Sequence, residues 1–149
     1  MAHTNTLRLV NSSTTMSVEM GASLQEVLDM STFERPYPIL AARVNNRYKE
    51  LNYRVYKSVT VEFFDVRHFE GYRVYQRTLS FVMQMAAYEL FPERKLRIRH
   101  TLGNGFYAEF DGNEVLKAED VVLLKLRMED IVARNIPITR TKCLGEEAM

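Results

Sequence analysis

The sequence predicts an α+β fold: a small unit of ββαββ order, then a long helix lying on a β-hairpin. Three observations predict it. Within residues 1–66, short segments of period-two alternation flank a single capped helix. From Gly71 to Asp111, an apolar stripe of helical period runs to Pro92 and gives way to two alternating segments around a Gly-rich turn. The composition, 46% hydrophobic and 26% charged over 149 residues, is that of a globular chain. A chain of this length holds one domain or two small ones and buries about 70% of its unfolded surface.

The elements follow in order. Met1 to Asn5 are expected to fray. Leu7, Leu9 and the residues around Val10 form a first strand, Asn11-Ser12-Ser13 turns the chain, and Met16, Val18 and Met20 alternate as a second strand. Gly21-Ala22 breaks that strand. Ser23-Leu24-Gln25-Glu26 has the form of a capping box, in which the Ser23 hydroxyl accepts from the third helical amide and Glu26 reaches back. Leu24, Val27 and Leu28 are the apolar stripe of the short helix it opens, and Pro36 and Pro38 end the connection after it. Ile39 to Val44 is apolar enough for a central strand. Asn45-Asn46 tolerates the left-handed geometry of a tight hairpin, with Lys49, Glu50 and Leu51 on the return strand. Ser58 to Asp65, with Val59, Val61 and Phe63 on one face, closes the sheet in what is the β-grasp arrangement.

Val66 to Gly71 is read as a linker. In the long helix, Tyr75, Leu79, Val82, Ala86 and Leu90 recur at intervals of three and four and form one stripe. Pro92 lacks an amide donor and disfavours helical geometry at Phe91, so the helix ends near Leu90. Leu96 and Ile98 alternate with Arg97 and Arg99; Gly103-Asn104-Gly105 supplies the turn; Phe106, Ala108 and Phe110 alternate with Tyr107 and Glu109 on the return. Glu119 and Asp120 suit the first turn of a further helix, whose buried stripe is Val121, Leu124, Met128 and Ile131. Lys117 is a poor cap for it. Asn135-Ile136-Pro137 ends that helix, Ile138 to Lys142 is read as a strand, and residues 144–149 as a disordered tail.

Two sets of motifs carry a resemblance. LRLV, GASLQEVL, ILAARVNN and VTVEFFD, in that order over residues 1–66, resemble a TGS domain, the ubiquitin-like module that begins threonyl-tRNA synthetases. LFP followed by a strand and NGFYAEFD resembles the start of the second additional domain of threonyl-tRNA synthetases, also found in alanyl-tRNA synthetase editing modules. The resemblance implies a second module over residues 71–143, shorter than the family's, so that the chain is read as an N-terminal or truncated version. That family opens its long helix with His-x-x-x-His. Counting back from Pro92, those positions are held here by Arg77 and Phe81. Neither side chain offers a metal-ligating atom, so the resemblance implies the editing scaffold without its metal-capable pair. TGS and editing-like modules also precede a P-loop kinase domain in bacterial nucleoside kinases resembling uridine kinase, which share the helix before LFP, a strand ending near His and the NGxYxEF pattern.

The residues themselves exclude much chemistry. Nothing matches G-x-x-x-x-G-K-[ST], HExxH, a CxxC pair or G-x-S-x-G. Cys143 is the only cysteine; no internal disulfide can form, and with no base placed near it the residue reads as an exposed thiol. His3, His68 and His100 fall in a frayed end, a linker and a strand end, which makes no converging metal set. Thus no catalytic residue, metal or cofactor is expected on this chain; ATP and magnesium would belong to the kinase domain of the nucleoside-kinase reading. No run approaches a membrane span and MAHTNTLRLV has no signal-peptide core, so a cytoplasmic location is expected.

Candidate binding residues are Arg73, Arg77, Arg97, Arg99, His100, Asn104 and Tyr107. Arg97 and Arg99 project from one strand face and can track an RNA backbone, with Arg73 and Arg77, four apart on the helix, joining them. The plainer alternative is a solvated face matched by Glu93, Glu109 and Asp111, in keeping with a net charge of only +1. His100 can meet a phosphate or a carboxylate, or simply hydrogen-bond at a strand edge. Asn104, Gly105, Phe106 and Tyr107 line the cleft in the editing relatives; on residue grounds they read as turn glycine and aromatics packed under the helix. Two functions follow. One is a non-catalytic regulatory or ligand-sensing region of a uridine kinase-like enzyme, with the rest of that polypeptide as partner. The other is a tRNA- or RNA-binding module derived from threonyl-tRNA synthetase. An unpaired sheet edge in the shortened second module would favour a homodimer.

Overall fold

The computed structural model describes residues 3–103, 105–112 and 116–139. The chain divides into two compact units, 1–78 and 79–149. The first contains strands β1 (Thr4–Leu9), β2 (Thr14–Glu19), β3 (Ala41–Val44), β4 (Arg47–Lys49) and β5 (Val59–Phe64), with helix α1 (Leu24–Met30) between β2 and β3. Helix α2 (Phe69–Leu90) passes from the first unit into the second, which continues with strands β6 (Leu96–Leu102) and β7 (Gly105–Phe110) and helix α3 (Ala118–Ala133).

The five-stranded sheet has the order β2-β1-β5-β3-β4, with β1 and β5 parallel and the other neighbours antiparallel. That is the β-grasp arrangement. Ser23 caps α1: its hydroxyl accepts from the Glu26 amide at 3.2 Å and its own amide donates to Glu26 Oε2 at 2.6 Å. The stripe so positioned, Leu24, Val27 and Leu28, is buried together with Leu7, Leu9, Val18, Ala42, Val44, Val61 and Phe63 from the sheet in one core. Two asparagines extend the ladders with side chains in place of backbone. Asn11 exchanges two hydrogen bonds with Phe63, at 2.8 and 3.0 Å, and Asn45 Oδ1 accepts from the Thr60 amide at 3.1 Å. Asn45 takes φ +53°, the left-handed geometry its hairpin needs.

The central strand is β5, not the Ile39–Val44 segment: β3 begins at Ala41 and lies next to the edge. The last strand inserts between β1 and β3 because the parallel β1–β5 pairing is reached only through the helical crossover. Order also begins earlier than the fraying expected over Met1–Asn5; Met1 and Ala2 lie outside the described residues. β1 begins at Thr4, and Asn5 is buried with its Nδ2 donating to the Val55 carbonyl at 3.5 Å. Met20 lies beyond β2, and Glu50 and Leu51 lie beyond the three-residue β4.

The second half of the linker expected over Val66–Gly71, from Phe69 on, is already helix. His68 Nδ1 accepts from the Glu70 amide at 3.1 Å at the start of α2, and Asp65 binds the Arg67 guanidinium through both carboxylate oxygens. Gly71 is buried inside the first turn against the Asp65 carbonyl.

In the second unit, Val82 and Ala86 of α2 pack with Ile131 of α3, flanked by Met85, Leu124 and Met128. The hairpin joins at its base, where Phe110 meets Phe91 edge-on with ring centres 5.2 Å apart and Arg94 covers the Phe110 ring at 4.5 Å. The expected stripes are buried over part of their length only: Tyr75 and Leu79 on α2 and Val121 on α3 are exposed. α3 lacks a side-chain cap at Lys117, yet Asp120 accepts from the Lys117 amide at 3.0 Å, half of a capping box. Ile138 and Thr139 are in no strand, and the rest of the expected strand, Cys143 and the tail lie outside the described residues. No helix among the described residues is long and apolar enough to cross a membrane.

Candidate nucleic-acid interface

The hairpin gathers four of the expected residues on one face, by way of a bulge. Arg97 lies opposite Glu109, Ile98 opposite Ala108, and His100 opposite Tyr107, which leaves Arg99 as the extra residue. Strict alternation would put His100 on the far face with Ile98. The bulge turns it to the face of Arg97, Tyr107 and Glu109, where its ring stacks on Tyr107 with centres 5.1 Å apart.

Carboxylates lace this face. Arg99 Nε meets Glu109 Oε1 at 2.6 Å, Arg97 Nε meets Asp111 Oδ1 at 2.5 Å, and the Tyr107 hydroxyl donates to Glu109 Oε2 at 3.3 Å. The hydrogen bond from Arg97 holds the Asp111 carboxyl below its usual range, and Asp111 in turn raises the Arg97 guanidinium. Two arginines and two carboxylates cancel, so either arginine reaches a phosphate only by exchanging one anion for another. Phe106 and Tyr107 are exposed, which corrects the expectation that they pack under the helix. Both lie at the turn end of β7, whereas the hairpin's packing against Phe91 is at its other end, at Phe110. Asn104 lies outside the described residues.

Arg73 and Arg77 belong to the first unit, the hairpin to the second. Arg73 pairs with Glu70 at 3.3 Å and covers the Phe69 ring at 5.5 Å. Arg77 is exposed and has no ion pair among the described residues. Those residues include no group of three side chains able to hold a metal ion. His68, read as a linker residue, is engaged: besides accepting from Glu70 it stacks on Phe64 at 3.9 Å.

One basic cluster escaped the sequence reading. Arg47, Lys49 and Lys57 line a hollow of about 400 Å³ beside edge strand β4, with Asn45, Asn46, Tyr53 and Tyr56. The signal was the interleaving of cations and tyrosines in RYKELNYRVYK, residues 47–57, which a strand-by-strand reading passes over.

No family model matches the chain. Curated relatives do. It is 36% identical over 109 residues to the threonine–tRNA ligase of Symbiobacterium thermophilum, which covers 73% of this chain and 17% of that one. It is 33% identical over 110 residues to the enzyme of Streptomyces coelicolor, covering 74% and 17%, and 30% identical over 129 residues to that of Syntrophomonas wolfei, covering 87% and 20%. The chain thus spans about a fifth of the length of these relatives. With a β-grasp sheet first and a helix-and-hairpin module after it, the chain is homologous to the N-terminal region of threonine–tRNA ligases.

Proposed function

We propose that this chain is a non-catalytic RNA-binding module whose partner is tRNA. The observation that carries the reading is the homology itself, which covers 73–87% of the chain in proteins named for joining threonine to tRNA. The positions of the editing family's His-x-x-x-His are Arg77 and Phe81, which is consistent with gripping rather than cutting. The kinase reading keeps only its sequence resemblance; the relatives above are all ligases, and none of them supports a uridine kinase parent.

The test is fluorescence anisotropy of labelled tRNA with the purified chain between 50 and 200 mM salt. Binding should weaken linearly on a log–log plot, with a slope of about −0.9 for each phosphate neutralised in paired regions. Arg77→Ala should lower that slope more than Arg97→Ala or Arg99→Ala, because those two must release Asp111 and Glu109, whereas Arg77 has no ion pair among the described residues. Absence of salt-dependent tRNA binding refutes the proposal.

A further inference from the structure

We infer that the hollow beside β4 is a binding site for unpaired RNA, with Arg47 and Lys57 taking backbone phosphates and Tyr56 offering its ring to a base. The inference rests on the RNA-binding reading and gives it a location that the candidate arginines do not include.

The charge pattern around the hollow is the first ground. Four hollows are described on the first unit, and three of them mix cations with carboxylates or hold a carboxylate-paired arginine. One contains Arg54 with Glu19, Glu26 and Asp29; another has Arg67 with Glu34, Glu62 and Asp65; the third has Arg43 with Glu62. The β4 hollow has three cations and no carboxylate in its lining. Arg43 is matched to Glu62 and Arg67 to Asp65 in their hollows, whereas Arg47, Lys49 and Lys57, like Arg8, Arg35, Arg54 and Arg77 of the same unit, have no ion pair among the described residues; what sets the β4 hollow apart is that three such cations share one concavity. Uncompensated cations in one concavity repel each other and focus the field that draws in an anion.

The rings are the second ground. Lys49 Nζ sits 4.5 Å from the Tyr53 ring centre, so that face is already covered by a cation. Tyr56 is 64% exposed, and its Cε1 edge lies 3.4 Å from where a Cβ on Gly21 would stand. A tyrosine ring this exposed can serve as a stacking platform. A base reaches it only when unstacked from its neighbours, which selects single-stranded RNA over a helix. The volume, about 400 Å³, is in the range of small-ligand sites. Asn46, exposed on the turn, adds an amide donor and acceptor at the rim, and Asn45, whose Oδ1 accepts from the Thr60 amide, adds its amide donors.

The experiment uses the full chain with a fluorescein-labelled, unstructured RNA of about a dozen nucleotides, beside labelled tRNA. Arg47→Ala with Lys57→Ala should flatten the log–log salt slope for the oligomer by about 1.4, at roughly 0.7 for each single-strand phosphate contact. Tyr56→Leu keeps an apolar contact at Gly21 and removes the ring; affinity should fall roughly tenfold, while Tyr56→Phe binds as the parent does. Thermal melts of the variants report folding, and the Arg47 and Lys57 pair, both exposed, keeps the test valid if the Tyr56 variant melts early. Equal oligomer binding by parent and variants overturns the inference and leaves the tRNA proposal standing. Binding of tRNA with none of the oligomer does the same. Displacement of the oligomer by an equal concentration of a mononucleotide also overturns it, since the hollow would then take a free nucleotide. Failure to bind either RNA sinks both readings.

Discussion

Gly71→Ala is a sharp test of how α2 is seated. In an exposed helix this change stabilises by about 1 kcal/mol, because glycine loses more backbone freedom on folding than alanine. Here the sign should reverse. A Cβ at Gly71 would lie 2.0 Å from the Asp65 carbonyl oxygen and 2.8 Å from its carbon, so the two backbones must part by about an ångström. Neither neighbour yields easily. The Asp65 carbonyl accepts from the His68 amide at 3.2 Å, its carboxylate is held by Arg67, and β5 ends one residue earlier in the middle of the sheet. Overpacking against backbone belongs near the upper end of its usual cost, about 3 kcal/mol. Less the helix gain of about 1 kcal/mol, the first unit should lose about 2 kcal/mol, equivalent to a fall in Tm of about 8–16 °C for a unit of its size. The assay is a thermal melt together with amide exchange of Phe63, whose amide is bonded to Asn11 in the sheet. Thr78→Ala is the contrast. It lies exposed on the same helix, its hydroxyl donates to the Val74 carbonyl at 3.0 Å, and alanine there should raise stability by about 0.5 kcal/mol. If Gly71→Ala melts at or above the parent temperature, the close approach to Asp65 is wrong and the segment is the linker that the sequence suggested.

Three further outcomes are expected. Ser23→Ala should cost about 1 kcal/mol and move the Glu26 carboxyl only part of the way back toward 4.5, because the larger cause of its lowering, the Ser23 backbone amide, remains; a complete return by side-chain NMR titration would contradict this. Asp111 should titrate below 3.8. A carboxyl lowered in the folded state stabilises above its unfolded value, and that contribution disappears as pH falls through the folded one; Arg97→Ala should move the midpoint upward, and an unchanged midpoint would mean the pair is not formed in solution. Ile131→Ala should destabilise the second unit by about 2–4 kcal/mol, while Val121→Ser, at an exposed position of the same helix, should stay within about 0.5 kcal/mol; similar losses at both sites would show that the whole stripe is buried.

Local chemistry made much of this protein legible from the chain alone. The Ser23–Glu26 box, the Asn45 turn, the end of α2 before Pro92 and the apolar spacing of α1 each involve partners within a few residues, so short-range sterics and hydrogen bonding decide them. The two strands around the Gly turn were legible as a hairpin, which brings residues of β6 and β7 side by side. What the chain by itself did not determine depends on partners far away. β5 took the centre of the sheet because its pairing with β1 spans some fifty residues, a separation to which periodicity is blind. Glu109 and Asp111 were named from the sequence as acids that could match the hairpin arginines, but which arginine meets which was set by cross-strand register, and a single bulge put His100 on their face. The stripes of α2 and α3 are buried only where the two helices share a cluster, since spacing marks which face is apolar but not how much of it a neighbour covers. The hollow at β4 exists only once residues 44–59 are folded around an edge strand, where cations ten positions apart come to face one space.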